Sequence, residues 1–117
     1  DIDYIIPVPL HPNREKKRGY NQSERIASGI SAVTKIPVLT GVLVRNTDTK
    51  TQTKMNKEER WQNVSGKFVL ADSEILKGKH VLLVDDVVTT GATTESCGTV
   101  LLSVEGLRLS IAVLARA

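Results

Sequence analysis

The sequence has little cysteine and no long apolar run, and both absences narrow the class of protein. Cys97 is the single cysteine, so the chain can form no internal disulfide and no cysteine-based zinc site. This composition suits a reducing compartment, and we expect a cytoplasmic protein. No apolar stretch approaches the roughly 18 residues that a membrane-spanning helix needs, so we predict no membrane partner.

The two commonest nucleotide-binding loops are also missing. No GxxxxGK[ST] stretch occurs, which excludes a Walker-type phosphate loop, and no GxGxxG stretch occurs, which excludes the usual dinucleotide-binding turn. Internal repeats and low-complexity tracts are absent as well. Any phosphate site in this chain must use another arrangement of glycine, hydroxyls and backbone amides.

Charge is unevenly distributed along the chain. The 117 residues carry a net charge of +3 and suffice for one domain that buries about two-thirds of its unfolded surface. Residues 1–67 contain 12 basic and 7 acidic residues, whereas residues 68–117 contain 4 and 6. A solvated surface accounts for this bias as well as an anionic partner does. If the basic half binds an anion, the phosphate groups of a small molecule or of a nucleic acid are the expected partners.

Strands and helices alternate in the hydrophobic pattern. The first expected elements are a strand over Tyr4–Val8 and a helix opened by Ser23 and capped by Asn21 or Ser23, with apolar positions at Ile26, Ala27, Ile30 and Val33. A strand or extended pair then ends at Arg45, and a polar loop with a short helix around Lys57–Gln62 runs from Asn46 to about Asn63. The remaining expected elements are strands at "GKFVLA" and "KGKHVLLVDDV", a helix from Thr93 or Thr94 through Val104 that Gly106 stops, and a last strand at "LRLSIAVLARA". Several strands are apolar on both faces, which predicts an α/β fold with a mainly parallel twisted sheet flanked by helices. The chain enters its first strand almost at once, and we expect it to have been cut from a longer protein.

The stretch VLLVDDVVTTGATT, residues 81–94, combines an apolar strand, two acids at its end and a turn rich in threonine and glycine. In open α/β sheets ligands bind beyond the carboxyl ends of the strands, where we expect this segment to lie. Asp85 and Asp86 can hold two vicinal hydroxyls, a hydrated metal ion, or one of each, because neighbouring strand residues point in different directions. The turn from Thr89 to Thr94 offers amides and hydroxyls at a helix N-terminus, which suits a phosphate monoester, and Gly91 permits its close approach. These groups together predict a sugar-phosphate site; the alternative is that the acids cap the helix and the threonines form a turn.

This stretch closely resembles the phosphoribosyl pyrophosphate (PRPP) binding motif of type I phosphoribosyltransferases, in which an apolar strand leads to two acids and a Thr/Gly phosphate loop. The front half, with "PVPLHPNREKKRGYNQSERIA" and "LVRNTDTKTQTKMNKEERWQNVSGKF", is similar to the ComF/GntX branch, which is often described as amidophosphoribosyltransferase-like. The resemblance covers essentially the whole chain, so residues 1–117 are expected to form one type I phosphoribosyltransferase-like domain. It also implies an upstream Cys-rich, zinc-binding segment that these residues do not contain.

The resemblance implies specific roles for residues of three segments. Asp85 and Asp86 would be catalytic and would hold the ribose 2′- and 3′-hydroxyls or the Mg²⁺ associated with them. The residues implied to cradle the 5′-phosphate are Thr89, Thr90, Gly91, Ala92, Thr93 and Thr94. The loop over residues 9–22 would bind pyrophosphate, and the matching residues there are Arg18, Gly19, Tyr20, Asn21 and Gln22. Residues 45–63 would form a flexible flap that closes over the site, with Arg45, Gln52, Arg60 and Asn63 as its matching residues and Arg60 as a further catalytic residue.

The resemblance therefore implies a Mg²⁺-dependent enzyme that transfers the 5-phosphoribosyl group of PRPP to or from a nitrogen nucleophile and displaces pyrophosphate. Departure of pyrophosphate develops positive charge on the sugar and negative charge on the leaving group, so catalysis is electrostatic and positional and needs no covalent nucleophile. The alternative is a PRPP-fold protein without transferase activity that acts in DNA uptake or regulation by binding single-stranded DNA or protein, because ComF relatives are associated with competence. A homodimer is left open as a further assembly.

Three other residues carry chemistry that these motifs do not use. Cys97 shares a helix face with Val100 and Leu101, which favours core packing over a reactive thiol. His80 begins a strand and is expected to be structural. His11 lies in the expected pyrophosphate loop, where donation to an anion and a solvated position are equally good interpretations.

Overall fold

The computed structural model describes residues 1–10, 21–46, 67–88 and 91–116. Its elements are, in chain order, strand β1 (Tyr4–Pro7), helix α1 (Gln22–Thr34), strands β2 (Leu43–Arg45) and β3 (Phe68–Leu70), a 3₁₀ turn (Glu74–Leu76), strand β4 (His80–Val88), helix α2 (Ala92–Leu102) and strand β5 (Arg108–Arg116). The expected short helix around residues 57–62, most of the polar loop after Asn46 and most of the loop over residues 9–22 lie outside the described residues. Among the helices that are described, none is long and apolar enough to cross a membrane.

β4 is the central strand of a three-stranded parallel sheet with the order β1-β4-β5. β1 pairs with it from Tyr4 opposite Val81, and β5 pairs with it from Arg108 opposite His80. A parallel strand with neighbours on both sides and helices over both faces is shielded from water, which explains the unbroken apolar run VLLV in β4. The expected α/β fold with a mainly parallel sheet is confirmed.

Alternate residues of the sheet point into two separate cores. Ile5 and Val84 lie on one face, where Ala27 of α1 packs against them. Ile6 and Leu83 lie on the other face and pack against α2. The buried residues that α2 contributes to this second core are Cys97, Val100 and Leu101. The two helices therefore cover opposite faces, because successive strand residues alternate in direction.

β2 and β3 form a separate antiparallel pair in which Leu43 lies opposite Leu70 and Arg45 lies opposite Phe68. Phe68 is fully buried and joins the core on the α2 side of the main sheet. Both strands lie where the sequence predicts them. Their pairing with each other is not indicated by the sequence, since three-residue strands are too short to carry a register pattern.

Asn21 caps α1, which begins at Gln22, one residue before the expected start. Asn21 Oδ1 accepts hydrogen bonds from the backbone amides of Ser23 at 2.9 Å and Glu24 at 3.3 Å. Asn21 Nδ2 donates to the carbonyl oxygen of Val8 at 3.2 Å, 13 residues earlier. The cap therefore satisfies the first amides of the helix and also ties the helix start to the end of β1.

The apolar face predicted for α1 is only partly buried. Ala27 is fully buried, and Ile26 and Ile30 pack against the same core. Val33 is 83% exposed, so its assignment to this face is wrong. Val33 lies in the last turn of α1, beyond the core that Ala27 joins.

The end of α2 also differs from the expectation. The helix spans Ala92–Leu102, so it begins one or two residues early and stops before Val104 rather than at Gly106. Ser103 explains the stop, because its amide donates to the Val100 carbonyl at 3.2 Å and its hydroxyl donates to the same carbonyl at 2.6 Å. Val104 remains buried at 7% exposure as part of the turn that leads to β5.

Replacing Asn21 by alanine should destabilise the ligand-free protein by about 1–2 kcal/mol, because the change removes both the α1 cap and the bond to the Val8 carbonyl. Urea unfolding followed by circular dichroism measures this difference. Ser28→Ala, at an exposed position of the same helix, is the matched control and should change the free energy of unfolding by less than about 0.5 kcal/mol. An Asn21→Ala variant as stable as the control would show that the cap does not hold α1 to β1.

Candidate active site

A cleft of about 390 Å³ opens at the carboxyl ends of β1 and β4, beside the N-termini of both helices. It brings together the described residues that the sequence predicts for the site, which are Asn21, Gln22, Arg45, Asp85, Asp86, Gly91, Ala92, Thr93 and Thr94. The other predicted site residues, Arg18, Gly19, Gln52, Arg60, Thr89 and Thr90, lie outside the described residues, as do His11, Tyr20 and Asn63. The roles of these residues stay predictions.

The two acids lie inside β4 rather than at its end, since the strand continues to Val88. The predicted strand, which includes both acids and runs to Val87, therefore ends within one residue of the observed one. The ladder with β5 includes Asp85 and Val87 but skips Asp86. Each carboxylate accepts the amide that follows it: the Asp86 amide donates to Asp85 Oδ1 at 2.9 Å, and the Val87 amide donates to Asp86 Oδ1 at 2.8 Å. Asp85 is 7% exposed, whereas Asp86 is partly exposed.

The environment of Asp85 resists a negative charge. Burial raises the pKa of the Asp85 carboxyl, and the neighbouring Asp86 carboxylate raises it further, while the Asp86 amide and the Ser23 hydroxyl oppose the rise. A buried carboxylate is costly to ionise unless donors or a cation offset its charge. The cleft is therefore suited to a ligand that brings hydroxyl donors or positive charge to this acid.

Ser23 is a residue of the site, although the sequence predicts for it only a role at the start of α1. Its hydroxyl donates to Asp85 Oδ1 at 3.4 Å, and the two residues are 62 positions apart in the chain. Ser23 is 4% exposed and lines the cleft. No local pattern relates α1 to β4, so only the tertiary structure brings these side chains together.

The turn before α2 has the backbone conformation that its glycine predicts. Gly91 has φ 84° and ψ −1°, in the left-handed region, and a β-carbon added there would meet no other atom within 4 Å. Ala92, Thr93 and Thr94 then form the first turn of α2 and contribute its first backbone amides. The Thr94 hydroxyl donates to the Gly91 carbonyl at 3.0 Å. The donors that this part of the turn offers to an anion are therefore chiefly backbone amides.

Arg45 is held at the edge of the cleft by two contacts. Its Nε donates to the Pro9 carbonyl oxygen at 3.0 Å, and its guanidinium lies 4.8 Å from the centre of the Phe68 ring. A guanidinium over an aromatic face gains cation–π stabilisation. Arg45 thus joins the end of β1 to β3 and provides a positive charge in the cleft that contains Asp85 and Asp86.

Asn21 and Gln22 lie at the start of α1, also in the cleft lining. Both polar atoms of the Asn21 side chain bond within the fold, to the α1 amides and to the Val8 carbonyl. Asn21 therefore shapes the cleft through its backbone and cap contacts. Gln22 is partly exposed beside it.

The acid pair fits a divalent cation if a ligand supplies the remaining oxygens. Within the described residues no group of three or more His, Cys, Asp or Glu side chains could hold a metal ion. Mg²⁺ usually binds through one or two carboxylates together with substrate phosphates and water. Asp85 and Asp86 therefore suit a cation that arrives with a phosphorylated ligand better than a metal held by protein groups alone.

Cys97 and His80 have the structural surroundings that the sequence predicts for them. Cys97 is fully buried, and burial raises the pKa of its thiol to about 12, which makes it unreactive. His80 Nε2 lies 2.7 Å from Ser110 Oγ, and His80 Nδ1 lies 3.3 Å from Asp1 Oδ1. These contacts are at the opposite end of β4 from the acids.

Comparison with known proteins shows the family to which this chain belongs. Residues 16–117 match the family model described as "phosphoribosyl transferase domain". The chain therefore belongs to the type I phosphoribosyltransferase family.

Two relatives place the chain in the ComF-like branch of this family. Competence protein F of Haemophilus influenzae is 41% identical over 90 residues, which are 76% of this chain and 39% of that protein. DNA utilization protein YhgH of Escherichia coli O157:H7 is 34% identical over 100 residues, which are 86% of this chain and 43% of that protein. The chain thus spans 39–43% of the length of these relatives.

Solved structures agree with the fold. Glutamine phosphoribosylpyrophosphate amidotransferase from Bacillus subtilis superposes with a TM-score of 0.67 at 23% identity, over 97% of this chain and 22% of that one. At this identity the likeness concerns the fold alone. The predicted phosphoribosyltransferase-like fold is therefore confirmed.

The raised pKa of Asp85 gives the ligand-free protein a characteristic pH dependence. Because the folded state binds this proton more tightly than the unfolded state, the contribution of Asp85 to stability is fully present below the unfolded value of 3.8 and is lost as the pH rises through the folded value. Asp85→Asn should therefore gain stability relative to wild type as the pH rises from the acid range towards neutrality. Urea unfolding at a series of pH values measures the difference.

Glu105→Gln removes an exposed carboxylate far along the chain from the acids. It is the control that shows how the loss of one negative charge alone changes stability with pH. A stability difference between Asp85→Asn and wild type that stays constant with pH would contradict a raised pKa for the buried Asp85 carboxyl. A difference that favours wild type more strongly at neutral pH would contradict it too.

Proposed function

We propose that this chain is the PRPP-binding domain of a Mg²⁺-dependent phosphoribosyltransferase that passes the 5-phosphoribosyl group to or from a nitrogen nucleophile and displaces pyrophosphate. One observation carries the proposal: the Asp85–Asp86 pair and the N-terminal amides of α2 line the same cleft. Carboxylates that accept sugar hydroxyls, beside amides that donate to a phosphate, are together the groups that a ribose 5-phosphate requires.

The acids act on the sugar in this proposal. Asp85 and Asp86 accept hydrogen bonds from the ribose hydroxyls, which relieves the cost of the buried Asp85 charge. As the bond from C1 to pyrophosphate breaks, positive charge develops on the ribose ring, and the two carboxylates stabilise it through space. They also would hold Mg²⁺, which when bound supplies positive charge to the oxygens of ribose and pyrophosphate.

The phosphate and the leaving group are held by other parts of the cleft. The amides of Ala92, Thr93 and Thr94 and the positive end of the α2 dipole would bind the 5′-phosphate. Gly91 lets the phosphate approach because it carries no side chain. Arg45 would attract the pyrophosphate, with Arg18 and Arg60 as further cationic partners. Holding both ends of PRPP fixes C1 for attack by the acceptor, which is the positional part of catalysis.

A second candidate function is binding of single-stranded DNA without group transfer. It is supported by the names of the relatives, Competence protein F and DNA utilization protein YhgH, and by the positive charge of residues 1–67. The phosphates of the DNA backbone would then bind to the same basic side chains. Such binding should weaken steeply with salt and need no Mg²⁺, whereas PRPP binding should be stoichiometric and Mg²⁺-dependent.

Isothermal titration with PRPP should show one site per chain in the presence of Mg²⁺ and little binding when EDTA replaces it. Asp85→Asn combined with Asp86→Asn should abolish detectable binding while the circular dichroism spectrum stays that of wild type, because removing two repelling charges does not harm the empty fold. Unchanged binding by the double variant would overturn the ribose assignment. Tight binding of an oligothymidylate that ignores Mg²⁺ and falls with salt, together with no PRPP binding, would favour the DNA function.

A further inference from the structure

Ser23 on α1 and Asp85 on β4 contact each other across the cleft. The Ser23 hydroxyl donates to Asp85 Oδ1 at 3.4 Å, across 62 residues of chain. Both side chains are buried, with 4% and 7% of their surfaces exposed. This contact joins the first turn of α1 directly to the acid pair on β4.

The hydrogen bonds of Asp85 define an orientation for its carboxylate. Within the described part of the chain, the donors that reach it are the Ser23 hydroxyl and the Asp86 amide, and both end on Oδ1. Two donors on the same oxygen restrict rotation of the carboxylate and leave Oδ2 as the oxygen for a ligand. A hydroxyl donor also favours the ionised form of a buried acid.

The position of Ser23 is itself fixed by the fold. Its amide donates to Asn21 Oδ1 at 2.9 Å, and Asn21 Nδ2 donates to the Val8 carbonyl at 3.2 Å. These two bonds hold Ser23 in a fixed position relative to the end of β1, which lies next to β4, the strand that carries Asp85. A distance of 3.4 Å is long for a hydroxyl donor, but contacts in ligand-free sites are often long and shorten in the complex.

We propose that Ser23 is a positioning residue, which holds the Asp85 carboxylate in its ligand-binding orientation before the ligand arrives. The proposal rests on the proposed PRPP site for its effect on binding, but the contact between Ser23 and Asp85 does not depend on it. In this role Ser23 acts through Asp85 rather than by contact with the reacting atoms or the phosphate. Its loss should weaken binding without removing any group that contacts PRPP.

The first test compares the affinities of three serine variants for Mg²⁺·PRPP by isothermal titration. Ser23→Ala should weaken binding roughly tenfold, the loss expected when a hydrogen bond to a charged group disappears. Ser23→Thr keeps the hydroxyl and should restore binding to within about threefold of wild type. Ser31→Ala is the matched control, because Ser31 also lies on α1 and its hydroxyl also makes a hydrogen bond, to the Ile36 carbonyl at 2.6 Å, away from the acids. It should bind like wild type.

The second test measures the contact without any ligand. The shift in the urea unfolding midpoint caused by Ser23→Ala should largely disappear when Asp85 is already alanine, because residues that act through one contact are not additive. An equal shift in both backgrounds would overturn the proposal, and so would a Ser23→Ala variant that binds like Ser31→Ala or a Ser23→Thr variant that binds no better than Ser23→Ala.

These two tests also separate this proposal from the proposed function. If wild type fails to bind Mg²⁺·PRPP, the proposed function is wrong, and the role of Ser23 in PRPP binding falls with it. The unfolding measurements then still decide whether Ser23 holds Asp85. If wild type binds and only the serine variants behave unexpectedly, the PRPP site stands and the positioning role is wrong.

Discussion

A carboxylate held away from water is the constraint on which this site depends. Asp85 directly follows the apolar core residues of β4 and is 7% exposed, so its charge carries a desolvation cost. The Ser23 hydroxyl and the Asp86 amide offset part of that cost. A ligand that offers hydroxyl donors or a cation would offset more of it. Burial of this one side chain would therefore favour binding of such a ligand, and it lowers the stability of the empty protein for the same reason.

The fold supplies this burial at the edge of the sheet where it also supplies donors for a phosphate. β4 is the central strand, so its carboxyl end is surrounded by the end of β1 and by the first turns of α1 and α2. Helix N-termini carry partial positive charge, which favours both a carboxylate and a phosphate nearby. Arg45 adds a full positive charge in the same cleft. The sugar phosphate that we propose as ligand would thus meet, in one place, the carboxylates and the phosphate-binding groups that a parallel α/β sheet brings together.

The features that sequence reasoning could predict are those whose causes lie close together in the chain. The apolar run of β4, the acid pair and the left-handed Gly91 all lie within residues 81–91, and each follows from residue type and periodicity. The features it missed depend on contacts across the chain or on local competition for hydrogen bonds. Ser23 meets Asp85 only because α1 docks beside β4, and α2 stops early because Ser103 bonds to the Val100 carbonyl twice. Neither event leaves a periodic signal.

The pairing of β1 with β4 also affects how the protein is made. The amide of His80 bonds to the Asp3 carboxylate across 77 residues, so β1 leaves the ribosome well before the strand that it needs. Closing so long a loop costs entropy before any contact compensates it, and parallel pairing of distant strands is slow for that reason. During the interval Ile5 and Ile6, which are fully buried in the folded protein, stay exposed on the nascent chain. Apolar surface exposed in this way makes an incompletely folded chain prone to aggregate.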